Sequence, residues 1–332
     1  MKKLSQNDVS LMDSLVNLSQ KELHQAMNRC LRKYYPSVLN TEDYVVAWGD
    51  IPIALVAHMD TVFNHIEKNE LYYDIIKGVM WRLDGAGFDD RAGIFAILKI
   101  IQAGYRPTII FTTEEEKGGI GAAMLVSDLP QPKVPIKYFI ELDRQGSDDC
   151  VFYNCGNDEF ISYVESFGFN EEWGTFSDIS EICPAWKIAG VNLSIGYYNE
   201  HSIIETLHVA QMLSTIEKVK KMLEVADDAP FFNYVYRHFG FKEYYFQKYG
   251  INIIDKTSVE VICAGCGSVI SDYNSIPVLK DDGSTIFYCG DCLPGNVDFC
   301  SFCGEAYEIS DNDKCLCPRC RKKVGKNQCG NK

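Results

Sequence analysis

The chain has 332 residues, 46% hydrophobic and 23% charged, which is typical of a globular protein with room for one large domain and one small one. Its formal net charge of −14 disfavours nucleic acid as the partner of the protein as a whole. It contains no apolar run of about 18 residues, so no membrane span is expected.

Cysteine usage divides the chain. Four of the fourteen cysteines precede residue 263, and the other ten follow in C-x-x-C-rich sequence. The first twenty residues lack a continuous apolar core, so they predict an amphipathic helix rather than a signal peptide. Without such a signal, paired cysteines favour metal over disulfides, and the expected compartment is the reducing cytoplasm. We therefore predict a main domain over 1–225, an aromatic-rich connector over 226–258 and a cysteine-rich domain over 259–332.

The main domain alternates between apolar strands and helices. A helical pattern over 8–35 comes first and ends near Pro36. Strands are then predicted in the segments 44–60 (two strands with a turn at Gly49-Asp50), 107–113, 137–143 and 188–198. Helices are predicted in the segments 89–104, 118–129, 157–169, 177–186 and 206–225, and a loop of mixed character over 61–88. This order indicates an α/β fold of three layers, a mixed sheet covered by helices on both faces.

Polar side chains lie at the ends of the predicted elements, most of them after strands, where ligands bind in open α/β sheets. They are His58 and Asp60, Asp89 and Asp90 at a helix start, Glu114 to Glu116, Asp143, and His201. Each group alone has an ordinary explanation, such as a strand-end histidine, a helix cap or a solvated acidic run. Three glutamates directly after an apolar strand, however, are costly unless they are paired or metal-bound. Their shared position predicts a site that holds two metal ions and hydrolyses its substrate.

Five motifs in this order resemble the co-catalytic zinc exopeptidases, a superfamily that includes peptidase T, bacterial zinc aminopeptidases, glutamate carboxypeptidases and aminoacylases. The motifs are HMDTV (58–62), GFDDRAG (87–93), TTEEEKGGIGA (112–122), FIELDRQG (139–146) and EHS (200–202). The resemblance covers about residues 45–225.

The resemblance implies a role for each matching residue. His58 and Asp143 would bind one zinc ion, Glu116 and His201 would bind a second, and Asp89 would bridge the two. Asp60 would orient His58, and Glu115 would be the general acid/base. Cobalt and manganese are the alternative metals.

Two departures from the family pattern bear on this assignment. Arg91 stands where the family usually has lysine. The three consecutive glutamates also allow a second register, in which Glu114 and Glu115 take the roles given to Glu115 and Glu116.

Spacing indicates the compact version of the fold. Thirty residues separate His58 from Asp89, and Asp143 and His201 are 58 positions apart. Neither interval has room for the dimerisation or lid domain that many peptidase T-like and carboxypeptidase-like members insert. Asp178 falls in a loop near the expected substrate pocket and is either a helix cap or a partner for a substrate amino group.

The last 70 residues contain four C-x-x-C pairs, separated by 22, 7 and 13 residues. This spacing predicts two closed four-cysteine zinc-ribbon sites, each holding one structural zinc ion. Sequential pairing gives Cys263, Cys266, Cys289 and Cys292 for one site and Cys300, Cys303, Cys317 and Cys320 for the other. An interleaved pairing is the alternative, and Cys315 and Cys329 are left over.

The leading functional hypothesis is a zinc-dependent aminopeptidase acting on short peptides or related amides. Within the same chemistry, the alternatives are an N-acyl amino acid amidohydrolase and a carboxypeptidase-type enzyme. A rival from another class is an inactive peptidase fold that serves as a scaffold, with the ribbons binding a protein or, weakly, nucleic acid. The oligomeric state is left open.

Overall fold

The computed structural model describes residues 3–63, 69–237, 260–271, 275–282, 284–299, 306–309 and 317–318. It divides into two compact units, Met1–Gly250 and Ile251–Lys332. Within the described residues, no helix combines the length and the apolar character needed to cross a membrane.

The first unit is built around an eight-stranded mixed sheet with the order β1-β2-β6-β3-β7-β10-β8-β9. Its strands are β1 (Val38–Asn40), β2 (Tyr44–Ala47), β3 (Ile51–His58), β6 (Pro107–Thr112), β7 (Tyr138–Arg144), β8 (Asp149–Val151), β9 (Asn170–Glu171) and β10 (Gly190–Ser194). The four central strands β6, β3, β7 and β10 are mutually parallel. Their carboxyl ends therefore meet at one edge of the sheet.

Helices cover both faces of this sheet. They are α1 (Gln6–Val16), α2 (Gln20–Tyr34), α3 (Phe88–Gln102), α4 (Ile120–Asp128), α5 (Asp158–Glu165), α6 (Ile179–Trp186) and α7 (Val209–Glu224). Alternate residues of β3 enter different cores: Leu55 packs with residues of α1, α2, α3, α5 and α7, whereas Val56 packs with residues of α4 and α6. The predicted three-layer α/β fold is confirmed.

The helical pattern predicted over 8–35 is formed by two helices, α1 and α2. Ser19 starts the second one: its hydroxyl accepts the Glu22 backbone N–H, and the Glu22 carboxylate accepts the Ser19 N–H at 3.0 Å. Ser5 and Asp8 form the same capping box at the start of α1. The apolar pattern continues through the break because both helices pack against the same core.

A second, four-stranded sheet contains strands that the sequence did not predict. Its order is β11-β12-β5-β4, from β4 (Tyr72–Asp74), β5 (Val79–Trp81), β11 (Tyr197–Tyr198) and β12 (Thr206–His208). Two of these strands lie in the segment 61–88 that was predicted to be a loop. Strands of two or three residues are too short to show a periodic pattern.

The start of the aromatic-rich connector packs against the first unit. Phe232 is buried and lies 5.0 Å, ring centroid to ring centroid, from Phe160 and 5.2 Å from Tyr163. Tyr236 forms a backbone bridge with Cys155. The rest of the predicted connector, residues 238–258, lies outside the described residues.

The described strands of the second unit form two small sheets. One pairs β13 (Glu260–Ile262) with β14 (Val269–Ser271). The other has the order β16-β15-β18-β17, from β15 (Ile276–Leu279), β16 (Thr285–Tyr288), β17 (Val297–Phe299) and β18 (Ala306–Glu308).

Candidate functional site

The carboxyl edge of the large sheet brings the predicted metal ligands together. His58 is the last residue of β3, and Asp143 lies near the end of β7. Glu115 and Glu116 follow β6 in a short 3₁₀ turn. Asp89 lies at the start of α3, and His201 lies in the loop between β11 and β12.

Asp89 lies between the two histidines and turns one carboxylate oxygen toward each. Its Oδ1 is 3.0 Å from His58 Nε2, and its Oδ2 is 3.1 Å from His201 Nε2. Each histidine also contacts a second carboxylate. Asp143 Oδ1 lies 3.4 Å from His58 Nε2, and Glu116 Oε2 lies 3.0 Å from His201 Nε2. The result is two groups of one histidine and two carboxylates that share Asp89.

This donor set fits a pair of divalent ions. Metal–nitrogen and metal–oxygen bonds of about 2.0–2.1 Å in tetrahedral geometry place neighbouring ligand atoms roughly 3.3 Å apart. The spacings of 3.0–3.4 Å found here match that value. Glu116 Oε1 is also buried without a hydrogen-bond partner among the described residues, as expected of an oxygen whose partner is an ion.

Asp60 connects His58 to the glutamate pair. Its Oδ1 lies 3.2 Å from His58 Nδ1, the nitrogen that faces away from Asp89. Its two oxygens accept the backbone N–H groups of Glu115 and Glu116, each at 3.1 Å. One carboxylate thus fixes both the ring of His58 and the turn that carries the glutamates.

The three glutamates point to different partners. Glu114 has a left-handed backbone conformation and forms an ion pair with Lys117. Glu115 lines the open cleft, and Glu116 faces His201. Glu116 therefore lies in the cluster with His201 and Asp89, whereas Glu114 is turned toward an exposed lysine.

The electrostatics of the cluster favour added positive charge. Burial, together with the negative charge of Asp143, raises the pKa of Glu115 to about 9. Burial, together with Asp89, raises the pKa of Asp143 to about 7. Hydrogen bonds to Asp89 and Glu116 raise the pKa of His201 to about 11. Closely spaced carboxylates repel one another, and cations between them relieve that repulsion.

Glu205 is a site residue that sequence reasoning missed. Its side chain is fully buried at the N-terminus of α3. Oε2 accepts the backbone N–H groups of Gly87 at 2.6 Å and Phe88 at 3.1 Å, and Oε1 accepts that of Asp89 at 3.0 Å. A single carboxylate therefore holds the turn that presents Asp89. Its sequence context, four residues after His201, contains no motif that could have identified it.

Asp143 is held by polar groups from three other segments. The hydroxyls of Tyr197 and Ser177 each donate to its carboxylate at 3.2 Å. The Asn192 amide accepts the Asp143 N–H at 2.9 Å and donates to its carbonyl at 2.8 Å. This network orients the carboxylate toward His58.

Asp178 does not cap α6 with its side chain, which was the favoured expectation from the sequence. It stands at the N-cap position of α6, but its side chain makes no capping hydrogen bond. It is fully buried, accepts the Thr112 hydroxyl, and is absent from the described lining of the cleft. The helix-cap alternative is therefore wrong at this residue, and contact with a substrate amino group stays a prediction.

An open cleft of about 370 Å³ lies beside the cluster. Five carboxylates line it: Asp89, Glu115, Glu116, Asp143 and Glu200. Aromatic side chains form much of the rest, namely Tyr153, Trp173, Phe176 and Tyr197. The size and composition suit a small ligand that reaches the cluster from solvent.

The second unit contains a separate cluster of four cysteines. The sulfur atoms of Cys263, Cys266, Cys289 and Cys292 all lie within 4.8 Å of one another. Sγ–Sγ distances of 3.6 Å and 4.0 Å agree with the roughly 3.8 Å expected for thiolates around tetrahedral zinc. A side chain at Gly265 would meet the Cβ of Cys292 at 2.5 Å, so this knuckle requires glycine.

The second predicted cysteine site lies mostly beyond the described residues. Cys300, Cys303 and Cys320 are all outside the described ranges, as are Cys315 and Cys329. Cys317 is buried and packs with Leu279 and Tyr307.

The chain matches no family model and no curated protein sequence. Its fold is similar to that of solved aminopeptidases. A tripeptidase from Staphylococcus aureus superposes with a TM-score of 0.55 at 13% identity, over 69% of this chain and 100% of that one. Aminopeptidase PepT from Bacillus cereus superposes with a TM-score of 0.51 at 15% identity, over 66% of this chain and 98% of that one. The TET aminopeptidase of a thaumarchaeon superposes with a TM-score of 0.51 at 13% identity, over 68% of this chain and 99% of that one. At these identities the likeness establishes the zinc exopeptidase fold, which confirms the resemblance at the level of the fold.

Proposed function

We propose that this protein is a two-zinc metallohydrolase that cleaves peptide bonds as an aminopeptidase on short peptides. The observation that supports this most strongly is the position of Asp89, which turns one oxygen toward each half of a histidine–carboxylate cluster. Paired ions that share a carboxylate are the arrangement used for water-driven cleavage of amides.

The ligand assignment follows the contacts. His58 and Asp143 would hold one ion, His201 and Glu116 the other, and Asp89 would bridge them. When bound, the two ions supply an acidified water and polarisation of the substrate carbonyl. Asp60 would accept a hydrogen bond from Nδ1–H of His58, which would leave the lone pair of Nε2 free to bind the ion beside Asp89.

Glu115 would be the general acid/base. Its carboxylate lines the cleft beside the ligands, so it can take a proton from the attacking water and deliver it to the leaving amine. The Glu115–Glu116 register is supported by the contact of Glu116 with His201 and by the pairing of Glu114 with Lys117.

The preference for an aminopeptidase rests on the neighbours in fold, which are described as aminopeptidases and a tripeptidase. An N-acyl amino acid amidohydrolase or a carboxypeptidase would use the same centre on a different substrate. A scaffold without activity is the remaining alternative.

In the second unit, we propose a structural zinc ion at Cys263, Cys266, Cys289 and Cys292. A second one is proposed for Cys300, Cys303, Cys317 and Cys320. Four thiolates leave no open coordination position, so these sites would stabilise the fold.

The test is hydrolysis of a panel of aminoacyl, C-terminally free and N-acyl substrates by the full chain loaded with Zn²⁺, Co²⁺ or Mn²⁺. Glu115→Gln should lower kcat by about 10²- to 10⁴-fold with an unchanged metal content. Glu114→Gln makes the same change in charge one residue away and should retain activity, because its partner is an exposed lysine.

Each alternative has its own outcome. Full activity in Glu115→Gln would overturn the acid/base assignment, and loss of activity in Glu114→Gln would favour the other register. Cleavage of N-acyl or C-terminal substrates alone would replace the aminopeptidase. A fully loaded protein that cleaves no substrate would establish the scaffold.

A further inference from the structure

Arg144 stands out in the lining of the cleft. Among the described lining residues it is the only lysine or arginine, whereas five are carboxylates. In the part of the chain that the structure describes, its guanidinium makes one hydrogen bond, from Nη2 to the Trp173 carbonyl at 3.3 Å. Its Nε is buried and has no hydrogen-bond partner among the residues that the structure describes. Most of its five N–H donors are therefore uncommitted.

Arg144 has no described carboxylate partner, although acidic residues outnumber basic ones in this chain by 46 to 32. The described ion pairs, which extend to 4.0 Å, do not include Arg144. The nearby cleft carboxylates face elsewhere, since Asp143 is held by Tyr197 and Ser177 beside His58. A half-buried guanidinium beside aromatic walls gains much from an anion, because the local dielectric is low.

The backbone holds Arg144 firmly at this place. It is the last residue of β7, directly after the proposed ligand Asp143, and its carbonyl accepts the Ile195 N–H at 2.8 Å. Its neighbour in the cleft lining, Tyr153, is held in place because its hydroxyl accepts a hydrogen bond from the buried Asn192 amide at 3.0 Å. The cation is therefore preorganised rather than recruited from a flexible loop.

We propose that Arg144 binds a carboxylate of the peptide substrate, so that the cleft selects peptides that carry one within reach of the scissile bond. This inference rests on the proposed peptidase function and names the substrate class of the same site. Arginine suits the task because its planar donors match a carboxylate in pairs. The carboxylate has two possible sources, the free C-terminus of a short peptide or an acidic side chain.

The first arm of the test measures hydrolysis of two matched pairs by the metal-loaded chain. In the first pair, Leu-Gly-Gly is compared with its C-terminal amide, which lacks the terminal carboxylate. In the second, glutamyl p-nitroanilide is compared with glutaminyl p-nitroanilide, which lacks the side-chain carboxylate. One pair should show a kcat/KM ratio of about 10- to 100-fold in favour of the charged member, in keeping with a charge-assisted hydrogen bond. The pair that shows it identifies the source.

Arg144→Gln should reduce that ratio to near one, and Arg144→Lys should retain part of it because the charge remains. Arg29→Gln is the matched control: it removes the same charge from an exposed position on α2 and should leave the ratio unchanged. Circular dichroism of each variant checks that the fold is intact. Equal rates within both pairs, or a ratio that survives Arg144→Gln, would overturn the inference while leaving the peptidase proposal in place.

The second arm measures binding of the same peptides to Glu115→Gln by isothermal titration calorimetry. Tighter binding of the charged member, lost when Arg144→Gln is added, supports the role of Arg144 even if no hydrolysis is seen with the unaltered protein. In that case the peptidase proposal alone fails. Equal affinity within both pairs overturns the inference.

Discussion

At the scale of single residues, some positions of the site can be predicted from the sequence and others cannot. His58, Asp143 and Glu116 could be predicted because each lies at, near or shortly after the end of a strand and belongs to a short local motif. Glu205 could not, since its partner Asp89 lies 116 positions away and no local pattern connects them. A contact between residues so far apart in the chain is created by the tertiary fold, so it can be identified only from the structure.

Arg91 gives a physical reason for one departure from the family pattern. Its guanidinium is fully buried and donates through Nη1 to the Met59 carbonyl and through Nη2 to the Leu18 carbonyl at 3.2 Å. It thus joins the start of α3 to the end of β3 and to the turn between α1 and α2. Two diverging nitrogens are needed for this, and lysine has one.

We therefore expect Arg91→Lys to lower the free energy of unfolding by about 1–3 kcal/mol, because a buried carbonyl loses its donor. Urea denaturation of the two proteins measures the difference. The control is Arg29→Lys on the exposed face of α2, which should stay within about 0.5 kcal/mol of the unaltered protein. Equal stability of Arg91→Lys would show that the two carbonyl contacts contribute little.

At the scale of elements, the N-terminus of α3 depends on a carboxylate from a distant loop. Glu205 accepts three consecutive backbone N–H groups, the last of them that of Asp89. We expect Glu205→Gln to weaken metal binding by about 10- to 100-fold, because its amide cannot accept all three and the carboxylate of Asp89 loses its fixed position. Competition with a chromophoric chelator measures the affinity.

Exposed Glu42→Gln is the matched control for this change and should retain full metal affinity. Unaltered affinity in Glu205→Gln, with an intact fold, would mean that Asp89 is positioned without it.

The break between α1 and α2 has a recognisable signature in the sequence. Ser19 and Glu22 have the spacing of a capping box, but the apolar pattern that spans the break obscured it. Ser19→Ala should destabilise the protein by about 1 kcal/mol through the loss of that cap. Ser10→Ala, in the exposed middle of α1, should be neutral or slightly stabilising, since its hydroxyl only bonds back to the Gln6 carbonyl at 3.0 Å. Thermal unfolding compares the two, and equal melting temperatures would argue against a contribution from the cap.

At the scale of the whole molecule, the two candidate metal sites lie in different units. The histidine–carboxylate cluster is in Met1–Gly250 and the cluster of four cysteines is in Ile251–Lys332. We expect Cys289→Ser in the full chain to lower the zinc content by about one equivalent while hydrolysis of a short peptide continues, because all proposed catalytic side chains lie in the first unit. Elemental analysis and the peptide assay measure the two properties.

Cys30→Ser is the matched control, because this half-buried cysteine lies outside the cluster and should leave the zinc content unchanged. Undiminished zinc in Cys289→Ser would contradict the four-cysteine assignment.

The carboxylate of Glu205 also sets an order of events during protein synthesis. The chain emerges from its N-terminus, so β3, β6 and β7 can pair before the loop with His201 and Glu205 has been made. Until that loop arrives, the turn at Asp89 lacks its anchor and one half of the cluster lacks its histidine. A nascent chain that has not yet been extended past residue 205 therefore presents an incomplete cluster, and we expect the proposed metal ions to bind only after most of the first unit has been synthesised.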